Sequence, residues 1–240
     1  MVAGCYSPGV TTPKRRAPKM RQETLQRRED ILRAALTTFG SKGYKNGSLA
    51  DIAEQVDMTH AGVLHHFGSK DALLLEVLSY RDKTDVAELQ DQHIPDGLEL
   101  FRHLIKTALA NMQREGIVQA YAVLSAESVT DGHPARPFFE TRYEVLRAEV
   151  RHAFEVVCTE YGVEPDPATI ENASAAVLAV MDGLQVQWLL HPDKVNLATS
   201  TEFAIRGILS AVLQPQPSVL DAPRALPGAT EPGWNALLRD

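Results

Sequence analysis

The residues of this chain best suited to chemistry lie in one short run, Thr59, His60, Ala61, Gly62 and His65. An imidazole can donate and accept, so His60 and His65 suit the mixed donors and acceptors that base edges present in the DNA major groove. Ala61 and Gly62 have no polar side chain and instead permit close approach. The hydroxyls of Ser48 and Thr59 each stand ahead of a helical pattern, where they suit capping, and the partial positive charge of a helix N-terminus attracts phosphate. This is recognition chemistry rather than turnover. No Gly-rich phosphate loop, Gly-x-Ser-x-Gly turn or nucleophile paired with a base occurs, and no catalytic residue is expected. His60, His65 and His66 lack the i, i+4 spacing with Glu of a helical zinc site, and Glu149-x-x-His152 is a single unit where a di-iron bundle needs two. Neither a metal nor a cofactor is expected.

Short helices must hold these side chains. Behind a Ser48-x-x-Asp51 capping box, Leu49, Ile52, Ala53 and Val56 recur at helical spacing. Val56-Asp57-Met58 leaves room only for a tight turn before a second helix, capped by Thr59, with Val63 and Phe67 on one buried side. Such a pair is a helix-turn-helix, whose second helix enters the major groove. Upstream, Ile31, Leu32, Ala35, Leu36 and Phe39 form the stripe of a helix over about 23–41, stopped by Gly43. Downstream, Leu73, Leu74, Val77 and Leu78 mark a fourth helix over about 71–90 that links this unit to the rest.

Taken in order, EDILRAALTTF (29–39), Gly43-Tyr44, the helix pair and HHFGSKDALLLEVL (65–78) resemble the TetR family of bacterial transcriptional regulators, over about a quarter of the chain. The resemblance implies an N-terminal three-helix DNA-binding domain and a C-terminal helical bundle that pairs through its last two long helices and commonly holds a small molecule. It implies a phosphate contact at Lys70 and a DNA contact at Leu64, where the family usually has Tyr; Gly62 stands where it often has Thr. The stretch DGLQVQWLLHP (182–192) is similar to the C-terminal domain of a TetR subgroup that includes the regulator of choline-to-betaine metabolism.

Charge divides the chain in the same way. Residues 14–70 hold eleven Lys/Arg against six Asp/Glu, a balance of +5, so the whole-chain net charge of −7 leaves −12 on residues 71–240. A basic end suits phosphates, and an acidic body is repelled from the duplex. Lys14, Arg15, Arg16, Lys19 and Arg21 lie among Pro8, Pro13 and Pro18 with little apolar company, which predicts a disordered basic arm over 1–22 that touches the DNA backbone. Residues 23–70 then make the helix-turn-helix domain, 71–213 a helical ligand-binding and dimerisation domain, and 214–240, with five prolines, a flexible tail.

The fold class is all-α, because each segment of the body over about 97–114, 117–129, 137–161, 167–190 and 197–213 is long, amphipathic and bounded by Gly or Pro. The last two are apolar nearly all round, which suits a homodimer interface. His103, Tyr121, Ser125, Glu127, Tyr143, Asp182 and Gln185 are polar groups on otherwise apolar helices, the make-up of an effector pocket. Asp182-Gly183 is a candidate bend. With only Cys5 and Cys158, and no apolar run expected to span a bilayer, the chain reads as a cytoplasmic, nucleoid-associated protein without a membrane partner. The expected function is a homodimeric repressor on a palindromic double-stranded DNA operator, released by a small-molecule effector. The alternatives are an effector-independent or activating regulator, or a helical ligand-binding or enzymatic bundle.

Overall fold

The structure is a computed structural model that describes residues 18–86 and 96–215, with side chains from 22 to 82 in the first of these stretches. Among the described residues there are nine α-helices and no strand: α1 (Pro18–Asn46), α2 (Leu49–Gln55), α3 (His60–Phe67), α4 (Lys70–Val86), α5 (Gly97–Asn111), α6 (Glu115–Ser128), α7 (Arg136–Tyr161), α8 (Pro167–Leu190) and α9 (Leu197–Leu213).

α1 begins earlier than its apolar stripe suggests. Proline's fixed φ suits the first residue of a helix, and Gln22, Glu23, Leu25 and Gln26 are good helix formers, so Pro18 starts the helix. Lys19 and Arg21 therefore belong to its first turns, which corrects their assignment to a disordered arm. Lys14, Arg15 and Arg16, Cys5, the end of the expected fourth helix and residues 216–240 of the expected tail lie outside the described residues. Gly43, expected to stop the helix, breaks it with φ 73° and ψ 171°, a region that a Cβ disfavours, and helical structure resumes to Asn46.

α8 and α9 have the bounds read from the sequence, and α8 runs without a break through Asp182 and Gly183, so the candidate bend is absent. One glycine weakens a helix by only about 1 kcal/mol, and the buried residues on either side of it, from Val177 to Trp188, hold the helix against its neighbours. A second correction concerns α8. By length and composition alone this helix of 24 residues is long and apolar enough to cross a membrane, although no such run was expected. Here its Ile170, Val177, Met181 and Trp188 are buried in the bundle.

The N-terminal core gathers Ile31, Ala35, Phe39, Ile52, Val63, Leu73, Leu74 and Val77, and continues into Tyr121, Leu124 and Phe139 of α6 and α7. The junction is tight: a Cβ on Gly40 would lie 3.1 Å from the Ala120 backbone, so α1 and α6 cross with only small residues between them. A second core holds Phe101 and Phe154, rings 4.7 Å apart, with Val157, Val177 and Ile205. α1 is thus one element shared by the helix-turn-helix and the bundle.

Candidate nucleic-acid interface and effector cavity

The caps read from the sequence are present. Ser48 Oγ accepts the Asp51 N–H at 3.0 Å, and the Asp51 carboxylate accepts the Ser48 N–H at 3.2 Å, which completes the capping box. Lys42 pairs with that carboxylate at 3.0 Å and, with Ser48, holds it below the usual carboxylate range. Asp57 makes the turn with φ 51°, and Thr59 Oγ1 accepts the Gly62 N–H at 3.1 Å.

These caps aim α3. Its Val63 and Phe67 are buried, while Thr59, His60, Ala61 and His65 are exposed on the opposite side. Gly62 and Leu64 are half-buried. A Cβ on Gly62 would meet the Met58 Cε at 3.0 Å and Thr59 Oγ1 at 3.3 Å, so the bare glycine lets the turn close on its cap. Leu64 packs on the N-terminal core, where a leucine gains more than it would in water.

Arg28 of α1 fixes the far end of α3. Its guanidinium lies 4.3 Å over the Phe67 ring, donates to Glu76 of α4 at 2.6 Å, and donates to the His66 carbonyl. One side chain satisfies a last-turn carbonyl and ties three helices together. Sequence reasoning passed over it; its place one turn before Ile31 and Leu32 was the available signal.

Lys70, the first residue of α4, is half-buried with its Nζ 4.4 Å over the Tyr44 ring, and it donates to the Lys45 carbonyl at 3.4 Å. Burial lowers its ammonium pKa, while Asp71 and Glu127 oppose that shift. Tyr44 donates its hydroxyl to Asp71 and its backbone N–H to Glu127 Oε2, the latter at 2.7 Å. Glu127 is therefore a partner of α1 and not a wall of the effector cavity, a correction to its expected place: it sits near the end of α6, where its side chain meets the break at Gly43.

Within the bundle, Tyr121, Ser125, Tyr143, Asp182 and Gln185 line one cleft of about 830 Å³ between α6, α7 and α8, with Phe139, Gly183 and Val186. His103 is not among them. It borders a separate cleft of about 560 Å³ between α5 and α7, with Leu146 and Glu149 of α7. A chamber of about 80 Å³ adjoins both and is bounded by Arg81, Asn111, Tyr121, Arg142, Tyr143, Asp182 and Gln185 among others. Arg142 donates Nε to the Tyr121 hydroxyl at 2.9 Å and pairs with Asp82 at 2.6 Å. Arg81 lies 4.1 Å over the Tyr121 ring and reaches Asp82 at 3.2 Å. The Tyr143 hydroxyl donates to Asp182 at 2.6 Å. Burial pushes the Asp182 carboxyl upward, against Tyr143, Arg81 and Arg142. Sequence reasoning missed Arg81, Arg142 and Asn111, since charged and amide residues on amphipathic helices ordinarily face water. Among the described residues no three His, Cys, Asp or Glu side chains come together.

Away from the bundle core, α8 exposes Ala175, Ala179, Gly183, Val186 and Leu190 at helical spacing, and α9 exposes Phe203, Gly207 and Ala211. Phe203 is 82% exposed, a large apolar area to leave in water.

Comparison with known proteins matches both halves. Residues 31–77 fit the family model described as bacterial regulatory proteins, tetR family, and residues 97–213 the one described as BetI-type transcriptional repressor, C-terminal. Over 195 residues the chain is 25% identical to the probable HTH-type transcriptional regulator ArpR of Pseudomonas putida, covering 77% of this chain and 90% of that protein. It is 43% identical over 61 residues to the HTH-type transcriptional regulator BetI of Agrobacterium fabrum, covering 25% of this chain and 29% of that protein. The fold is similar to that of the SmeT–triclosan complex, with TM-score 0.64 and 18% identity, covering 85% of this chain and 100% of that one.

Proposed function

Because this chain belongs to the TetR family of bacterial regulatory proteins and has a BetI-type C-terminal domain, we propose that it represses transcription as a homodimer on a palindromic operator and is released by a small molecule. The observation that carries this reading is the face of α3. Thr59, His60, Ala61 and His65 are exposed together, on a helix whose other side is buried and whose far end is held by Arg28. Ser48, Thr59 and Lys70 would hold phosphates, and His60, Ala61, Gly62 and His65 would meet base edges. Leu64, packed on the core, contributes position more than contact.

The exposed apolar stripes of α8 and α9 support pairing through those helices. A two-fold axis would set two α3 helices on half-sites about 34–36 Å apart, one helical turn. The 830 Å³ cleft supports an effector and speaks against the effector-independent alternative, which needs a filled core. The SmeT–triclosan complex shows a small molecule bound to a protein of this fold. Such a regulator works beside the nucleoid, in the cytoplasm.

Fluorescence anisotropy with the DNA flanking the protein's own gene tests the reading, against a scrambled duplex and from about 50 to 200 mM salt. Selective binding with a steep salt dependence is the expected result. Equal affinity for palindromic and scrambled duplexes drawn from random DNA would overturn it.

A further inference from the structure

One buried polar group of the bundle is left without a partner where an occupant could meet it. Asn111, near the end of α5, is 1% exposed. Its Oδ1 accepts from Arg114 at 3.0 Å, and its Nδ2 has no hydrogen-bond partner. A guanidinium only donates, so Arg114 decides which way the amide faces and leaves Nδ2 for something else. Asn111 borders the 80 Å³ chamber. A buried amide donor costs stability when unpaired, and an occupant with an acceptor oxygen removes that cost.

The charge around the chamber selects among acceptors. Arg81 and Arg142 border it, and both reach one carboxylate, Asp82, which comes from the neighbouring cleft. The Asp82 side chain is 30% exposed, against 6% for Arg81 and 19% for Arg142. Asp82 can retreat into water, and the arginines cannot. A cationic occupant would meet two guanidiniums against the one carboxyl of Asp182. A neutral oxygen would not displace Asp82, since a charge-assisted bond is about twice as strong as a neutral one. A second carboxylate would replace it with the buried charge unchanged.

We infer that the chamber takes the carboxylate head of an amphipathic acid, with Asn111 and Arg142 as its donors and the apolar body lying in the larger cleft beside Phe139 and Val186. The inference rests on the effector-responsive regulator proposed above. The cleft and the chamber share Tyr121, Tyr143, Asp182 and Gln185, so they lie side by side with these residues between them, and the assignment has the ligand span both. Asp182 is the carboxyl that faces the head. Burial raises its pKa while Tyr143, Arg81 and Arg142 oppose that rise, and the two guanidiniums offset its charge. Taking Arg142 from Asp82 unties α4 from α7, and α4 begins at Lys70, so occupancy reaches the DNA-binding unit.

Calorimetry of the full chain with hexanoate, octanoate and decanoate, beside 1-decanol and decyltrimethylammonium, tests the head-group choice. Affinity should rise with chain length among the carboxylates and exceed that of the alcohol and the cation by about tenfold or more. Asn111→Leu should weaken decanoate about tenfold and leave decanol unchanged. Asp82→Asn should tighten decanoate, the opposite of what a merely structural role predicts. The assignment is overturned if no carboxylate binds, if the alcohol or the cation binds as well, or if Asp82→Asn fails to tighten binding. The wild-type series stands even if a variant does not fold. Anisotropy on the same preparation separates the two readings: selective DNA binding without carboxylate preference removes only the chamber assignment, and carboxylate binding without DNA selectivity removes the regulator.

Discussion

Glu127 of α6 accepts the backbone N–H of Tyr44 at 2.7 Å, at the point where Gly43 breaks α1. A helix break orphans backbone donors, and here a side chain of the bundle satisfies one of them. The same α6 presents Tyr121 and Ser125 to the 830 Å³ cleft, while Tyr44 supports Lys70. Replacing Glu127 with Ala should cost about 1–2 kcal/mol, since it strands the Tyr44 N–H. Gly43→Ala should cost at least as much, because a Cβ there collides with the Glu127 carboxylate and φ is positive. Equilibrium urea unfolding measures both, and unchanged midpoints would mean that the contact contributes nothing.

Lys70 and His60 should fail differently. Lys70→Ala is expected to weaken all duplexes alike and to lower the salt slope by about 0.9, the value of one phosphate contact. His60→Ala is expected to change which bases are preferred at one position of each half-site. Anisotropy on a panel of single-base variants distinguishes them, and a change of base preference in Lys70→Ala would remove that residue from the positioning set.

Phe203 is 82% exposed and belongs to the apolar stripe of α9. Phe203→Glu should leave the folded protomer intact, because no core contact is lost, while the charge opposes burial in a pair. Sedimentation is expected to change from dimer to monomer, with operator affinity falling by more than tenfold. Persistence of the dimer would place the interface elsewhere.

Asp182 makes stability depend on pH. Its carboxyl is raised by burial, so the native state keeps a proton at pH values where the unfolded chain has released it. Its contribution is therefore greatest at low pH and is lost as pH rises from about 4 through the native value. Asp182→Asn, which can still accept from Tyr143, should be more stable than the wild type at pH 7 and about equal near pH 4. Urea midpoints across that range decide it, and a less stable variant at pH 7 would mean that attraction to Arg81 and Arg142 outweighs desolvation.

What the sequence determined by itself is what depends on near neighbours along the chain. The Ser48–Asp51 box, the Thr59 cap, the break at Gly43, the exposed face of α3 and the bounds of α8 and α9 all follow from contacts three or four residues apart. Only the tertiary structure decided which helix meets which, and with it the partners of polar side chains. Glu127 finds Tyr44 across 83 residues, Arg28 finds Glu76 across 48, and Tyr143 finds Asp182 across 39. Helical periodicity tells which face is buried but not what lies opposite. That is why the sequence places His103 and Glu127 with a cavity that neither borders, and why nothing in it marks Asn111 and Arg142 as lining a chamber.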